Sequence, residues 1–198
     1  MNVYFFKKSL KLLWLAFFLF LIVFIVSRLI KIAPTYLSSS QYRHSLAEGI
    51  DFGRHGLPTF IDNIEGFSGE ETWGRWTDAT KSTSAKIKFR VSLPQSFTMI
   101  LNAKAFGPNE NDPVIVRVTS SDPLAPVVEK QILLKPLSSE HQIDFSIKSF
   151  PNINTIEIIP PHPIAPNALN HENNDFRLIG VGVTSIKIIN NPNTKNAK

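Results

Sequence analysis

Between residues 84 and 189 apolar and polar side chains alternate with a period of two, in short runs cut by Pro and Asn. Ala85, Ile87, Phe89 and Val91 stand against Lys86, Lys88 and Arg90. That is the pattern of a strand with one face buried and the other wet. Further runs follow at residues 97–105, 113–119, 127–134, 142–147, 155–159 and 181–189. About seven short strands of this kind predict a mainly β fold, an antiparallel β-sandwich of jelly-roll or galactose-binding-like type. Pro161, Pro163 and Pro166 exclude a helix over residues 160–174, and the tail from residue 190 is expected to fray.

Residues 12–26 are wholly apolar, with Lys7, Lys8 and Lys11 before them and Arg28 and Lys31 after. Extending the run to Ile32, with Arg28 and Lys31 reaching back to the interface, supplies the roughly 20 residues of a spanning helix. A cleaved secretory signal has a similar start, but Ser27-Arg28-Leu29-Ile30-Lys31-Ile32 lacks the small pair that cleavage needs. The expectation is one uncleaved transmembrane helix. Three cations before the run and two after it place the short tail in the cytoplasm. The rest then lies in a bacterial periplasm, anchored to the inner membrane. With no cysteine, the exported part must rest on its own core. The expected boundaries are tail and anchor at 1–32, linker and lead-in at 33–65, sandwich at 66–190 and flexible tail at 191–198. Gly49, Gly53, Gly56 and Pro58 break up the lead-in.

A net charge of +5 suggests a polyanion binder until its distribution is read. Five of the 21 Lys/Arg and none of the 16 Asp/Glu fall in residues 1–32, so the remainder is balanced, sixteen against sixteen. Nucleic acid is therefore not expected as a partner.

Candidate functional residues cluster in loops. The densest group is Glu70-Glu71-Thr72-Trp73-Gly74-Arg75-Trp76-Thr77-Asp78. Indole faces and a planar guanidinium suit stacking on sugar rings and holding hydroxyls or phosphates. The same residues also fit a structural role, with Trp73 and Trp76 in the sandwich core and Arg75 paired to Glu71 or Asp78. Asp175 and Arg177, two apart before the last strand, project to one face or form an ion pair that orders the loop. The run 105–109, Ala-Phe-Gly-Pro-Asn, reads as a turn ending a strand, with Asn109 as a further contact.

Taken in order, Gly-Phe-Ser-Gly-Glu-Glu-Thr-Trp-Gly-Arg-Trp-Thr-Asp, Ala-Phe-Gly-Pro-Asn and Asp-Phe-Arg-Leu-Ile-Gly-Val-Gly resemble the C-terminal domain of the phosphoglycerol transferase I family. The likeness covers about residues 42–189, including Gly49-Ile50-Asp51-Phe52 and Gly56-Leu57-Pro58. The family consists of bacterial inner-membrane enzymes that decorate periplasmic glucans, and similar domains occur in some membrane glycosyltransferases. Their several membrane helices and metal-dependent catalytic domain precede this module, and one apolar run stands in that place here. The resemblance therefore implies an accessory role in handling glycan rather than catalysis.

The residues themselves agree. None of His44, His55, His141, His162 and His171 sits in a metal-binding spacing, and no serine lies in a nucleophile elbow. Neither metal nor cofactor is expected. The leading expectation is a membrane-anchored, non-catalytic domain that binds or positions periplasmic, lipid-linked or surface glycan. Its contacts would be Glu71, Trp73, Arg75, Trp76, Asp78, Asn109, Asp175 and Arg177. The alternative is an interaction subunit that docks on a membrane phosphoglycerol transferase or glycosyltransferase.

Overall fold

A computed structural model describes residues 41–120, 122, 124–147 and 152–192. The expected anchor and the end of the expected flexible tail lie outside these residues. Among the described residues no helix is long and apolar enough to cross a membrane.

Among the described residues ten strands form two five-stranded sheets, antiparallel at every strand pairing. They are β1 (Ile50–Asp51), β2 (Ile61–Glu65), β3 (Arg75–Asp78), β4 (Ala85–Phe89) and β5 (Ser96–Ala105), then β6 (Val114–Ser120), β7 (Val128–Ile132), β8 (Ser139–Ser146), β9 (Ile153–Ile159) and β10 (Ile179–Asn190). One sheet runs β1-β10-β5-β8, with β3 also on β10, and the other runs β2-β4-β9-β6-β7. β3 pairs with β10, β4 with β9, β5 with β8 and β6 with β7. The chain from β3 to β6 thus folds back on β7 to β10 as one long nested hairpin.

Period-two alternation explains which faces meet. In β5, Phe97, Met99, Leu101, Ala103 and Ala105 are buried while the residues between them are half-exposed. Val114, Val116 and Val118 of β6 join Ile156 and Ile158 of β9 and Ile87 of β4 in the same apolar core. In β10 the inward set changes parity, from Val181 and Val183 to Ile186 and Ile188. A register shift between Val183 and Ser185 against β5 inserts the extra residue, so both halves of the strand bury their apolar side.

The seven runs read from the alternation are β4 to β10, with ends displaced by a few residues. Three strands fall outside that reading. The segment expected to be linker and lead-in holds β1 and β2, and Ile50, Phe52 and Ile61 are core residues. β1 has only two residues, and β2, Ile-Asp-Asn-Ile-Glu, does not alternate apolar with polar residues, so neither displays a period of two. The expected loop at 160–174 contains one helical turn, α1 (Pro166–Leu169). Pro166 opens it, where its missing N–H costs nothing.

The outer face of the second sheet carries a ladder of alternating charge. Glu65, Lys86, Glu157, Arg117 and Glu129 stand in register across five strands. Lys86 and Arg117 lie 3.3 Å and 2.9 Å from Glu157, and Arg117 lies 2.7 Å from Glu129. Glu157 is only 8% exposed and also accepts a hydrogen bond from Ser84 Oγ at 3.0 Å. Burial pushes its pKa up, but hydrogen bonds from Ser84, Lys86 and Arg117 win, and the net shift is downward. A carboxylate held below its unfolded pKa, about 4.3, stabilises the fold above that pH and ceases to do so as pH falls through the lower, folded value. Glu157→Gln is expected to cost about 1–2 kcal/mol at pH 7. In urea titrations the difference from the parent chain should shrink progressively below about pH 4.

Candidate functional site

Residues 66–71 turn back on 74–78 as a tight hairpin. Glu71 and Gly74 exchange backbone hydrogen bonds of 3.0 and 3.1 Å, and Ser68 N donates to the Trp76 carbonyl at 2.8 Å. Thr72 and Trp73 form the tip. Gly74 has φ +153°, and a Cβ there would lie 2.2 Å from the Val183 carbonyl oxygen. The returning strand, β3, lies along β10 with Trp76 opposite Gly182 and Arg75 opposite Val183. Where that register slips, Val181 N donates to Thr77 Oγ1 at 2.9 Å, so the bulged amide keeps a partner.

Gly182 is also opposite Lys104 of β5, so Trp76, Gly182 and Lys104 form one row across three strands. The missing side chain in the middle lets the outer two meet. A Cβ at Gly182 would come within 2.8 Å of both indoles and 3.0 Å of the Lys104 chain. Trp73 and Trp76 meet edge to face with centroids 5.0 Å apart, and Trp76 meets Phe106 the same way at 5.6 Å. Lys104 Nζ sits 3.6 Å from the Trp73 ring centroid and 4.9 Å from that of Trp76. Both indoles are half-buried on the outer face of their sheet, and neither belongs to the core between the sheets.

Charged groups flank this platform. Trp73 Nε1 donates to Glu71 at 2.8 Å, and Arg177 reaches the other oxygen of Glu71 at 3.3 Å. Arg177 also grips Asp175 through Nε at 3.0 Å and Nη2 at 2.6 Å. Hydrogen bonding to Arg177 lowers the Asp175 pKa against burial, and the same contact raises that of Arg177. Asp175-Arg177-Glu71-Trp73 is thus a continuous chain of polar contacts that joins the loop before β10 to the hairpin tip.

Some predicted contacts lie elsewhere. Alternation along β3 puts Arg75 on the face opposite Trp76. Its side chain is 14% exposed and bonds Glu70 at 2.6 Å, not Glu71 or Asp78 as expected. Arg75 Nε is buried and without a hydrogen-bond partner among the described residues. Glu70 also bonds His55 Nδ1 at 2.8 Å, which fastens the 53–56 loop to the hairpin. Hydrogen bonding from His55, opposed by burial and aided by Gly56 and Arg75, lowers the Glu70 pKa.

Asp78 and Asn109 are corrected as surface contacts, since both are buried and engaged internally. Asp78 accepts from the Thr80 N–H and hydroxyl at 3.1 and 2.6 Å. Asn109 donates to the carbonyls of Phe106 and His162, both at 2.7 Å, and accepts from His162 N at 2.8 Å. It latches the turn after β5 to the loop after β9. Glu71, Trp73, Trp76, Asp175 and Arg177 are therefore the predicted residues that the fold brings together. Lys104 and Gly182 escape the sequence reading. Alternation alone points Lys104 outward, but its partners come from distant segments.

The model of a family described as a domain of unknown function, DUF7024, matches residues 37–190. The chain belongs to this family. Phosphoglycerol transferase I of Citrobacter koseri is 32% identical over 144 residues, which is 73% of this chain and 18% of that protein. The proteins of the same description from Salmonella arizonae and Salmonella paratyphi B are each 33% identical, over 147 and 144 residues and the same shares. This DUF7024 chain therefore spans less than a fifth of the length of these curated relatives. The resemblance read from the three motifs is thus to a portion of those proteins.

Proposed function

We propose that this chain is a non-catalytic, jelly-roll glycan-binding module, held at a bacterial inner membrane by residues 12–32 and acting in the periplasm for a phosphoglycerol-transferring or related glycan-modifying system. The observation that carries the reading is the placement of Trp73 and Trp76. Two indoles that had only to fill space belong between the sheets, whereas these lie half-buried outside, over a glycine, with polar groups at their rim. The nested pairing of β3 to β6 with β7 to β10 supports the jelly-roll description. A binding role rather than acid–base chemistry is supported by the carboxylates. Glu70 and Asp175 are both held ionised by cations and hydrogen bonds, so neither is prepared to donate a proton.

A second reading, docking on a membrane transferase, is favoured by the exposed apolar side chains of Leu169, Phe176 and Leu178 in the segment that leads into β10. Calorimetric titration of the full chain in detergent micelles with periplasmic glucans separates the two. Saturable binding is expected, weakened about tenfold or more in Trp76→Ala, which corresponds to at least about 1.4 kcal/mol. The near-ultraviolet circular dichroism of the core should persist in that variant. No binding by well-folded parent chain would transfer the assignment to docking.

A further inference from the structure

Charge is paired almost everywhere around the platform. Arg177 is held by Asp175 and Glu71, and Arg75 by Glu70. Lys104 differs: among the described residues no carboxylate lies within ion-pairing distance of it, and its ammonium rests instead on the faces of Trp73 and Trp76. Cation–π contacts partly desolvate the ammonium and hold it in one place. A cation ordered in advance gives up little side-chain freedom when an anion arrives. It also sits where β3, β10 and β5 share one register row, over the Trp73 ring and next to that of Trp76, so a ligand group reaching the indoles meets it.

We propose that Lys104 is the specificity-determining residue of this site, and that the ligand is a saccharide bearing an anionic oxygen substituent at or next to the stacked ring. This rests on the glycan-binding reading above. The chemistry recognised is a carboxylate, sulfate or phosphate oxygen accepting a charge-assisted hydrogen bond from Lys104 Nζ. Nearby Glu71 and Asp175 do not annul that attraction, because Arg177 already pairs with both.

The test is calorimetric titration of the full chain in detergent micelles with neutral, carboxylated, sulfated and phosphorylated oligosaccharides of one length. At low ionic strength at least one anionic series should bind about tenfold or more tightly than the neutral one, and added salt should erode the difference. Lys104→Met keeps the aliphatic contact with the indoles; it should abolish the preference for the anionic over the neutral series, and Lys104→Arg should restore it. Which anionic arm binds best identifies the substituent. Equal binding of neutral and anionic ligands by the parent chain would overturn the role of Lys104 but leave the glycan reading standing. So would a preference that survives in Lys104→Met, or tighter neutral binding in that variant, which would make Lys104 a plug over the stacking face. Absence of binding in every arm would overturn both readings.

Discussion

Truncating Phe145 to alanine is expected to lower stability by about 3–5 kcal/mol, the usual cost of removing a fully buried phenyl ring. Phe145 is 1% exposed on β8, directly opposite Phe97 of β5. The two rings stack at a centroid distance of 5.1 Å. Removing one strips apolar area from water-free surroundings, breaks the stacking contact, and leaves a void that fixed strands cannot close. Because β8 is the edge of its sheet, some inward collapse is available, which favours the lower part of that range. For a domain of this size the melting temperature should fall by roughly 8–15 °C. Urea midpoints should drop without a change in slope, since the surface exposed on unfolding is nearly the same. Phe145→Leu, which retains most of the volume, should cost about 1.5 kcal/mol or less. A loss under about 1 kcal/mol in the alanine variant would mean that β8 is not closed onto the core.

The second large effect is expected at Gly74, where alanine should cost roughly 2–3 kcal/mol. Two penalties act together. The backbone at φ +153° is unfavourable for any L side chain, and the added Cβ meets the Val183 carbonyl oxygen at 2.2 Å. Relief requires β3 to move away from β10, and that movement breaks the row in which Trp76 faces Gly182. Stability and site geometry should therefore fail together, seen as a lowered urea midpoint and a changed near-ultraviolet indole signal. Gly69 provides the control. It lies in the same hairpin, and a Cβ added there would meet nothing within 4 Å, so Gly69→Ala should shift stability by less than about 0.5 kcal/mol. Equal effects at the two glycines would refute the close approach at Gly74.

Much of the antiparallel β architecture is legible in the sequence, and the reason is local. In β5 burial alternates over all ten residues, and only Ile100 interrupts the matching alternation of apolar with polar residues, so most of the inward set from Phe97 to Ala105 is legible in the sequence. β1 and β3, at two and four residues, have no room for a period and become strands only because β10 offers them a free edge. The Asp175–Arg177 ion pair is one of the two arrangements that its spacing allows, since residues two apart on an extended chain share a face. The Trp cluster stands out by composition, yet core and surface placements are equally compatible with it. In a loop, Arg75 could act alongside its neighbouring tryptophans. In a strand, adjacent side chains must part to opposite faces, and Arg75 leaves the platform.

The sequence by itself determined that this chain makes antiparallel strands, which face of most of them is buried, and which family motifs it carries. Those properties follow from pleat geometry and the avoidance of water by apolar side chains, both of which act over a few residues. Only the tertiary structure decided that Trp76, Gly182 and Lys104 share one row, and that Arg177 reaches Glu71 across a separation of 106 residues. Alternation sets which way a side chain points and is blind to which strand lies beside it. That choice depends on how the nested hairpin closes and where β10 bulges, so the platform exists only after the sheets have formed.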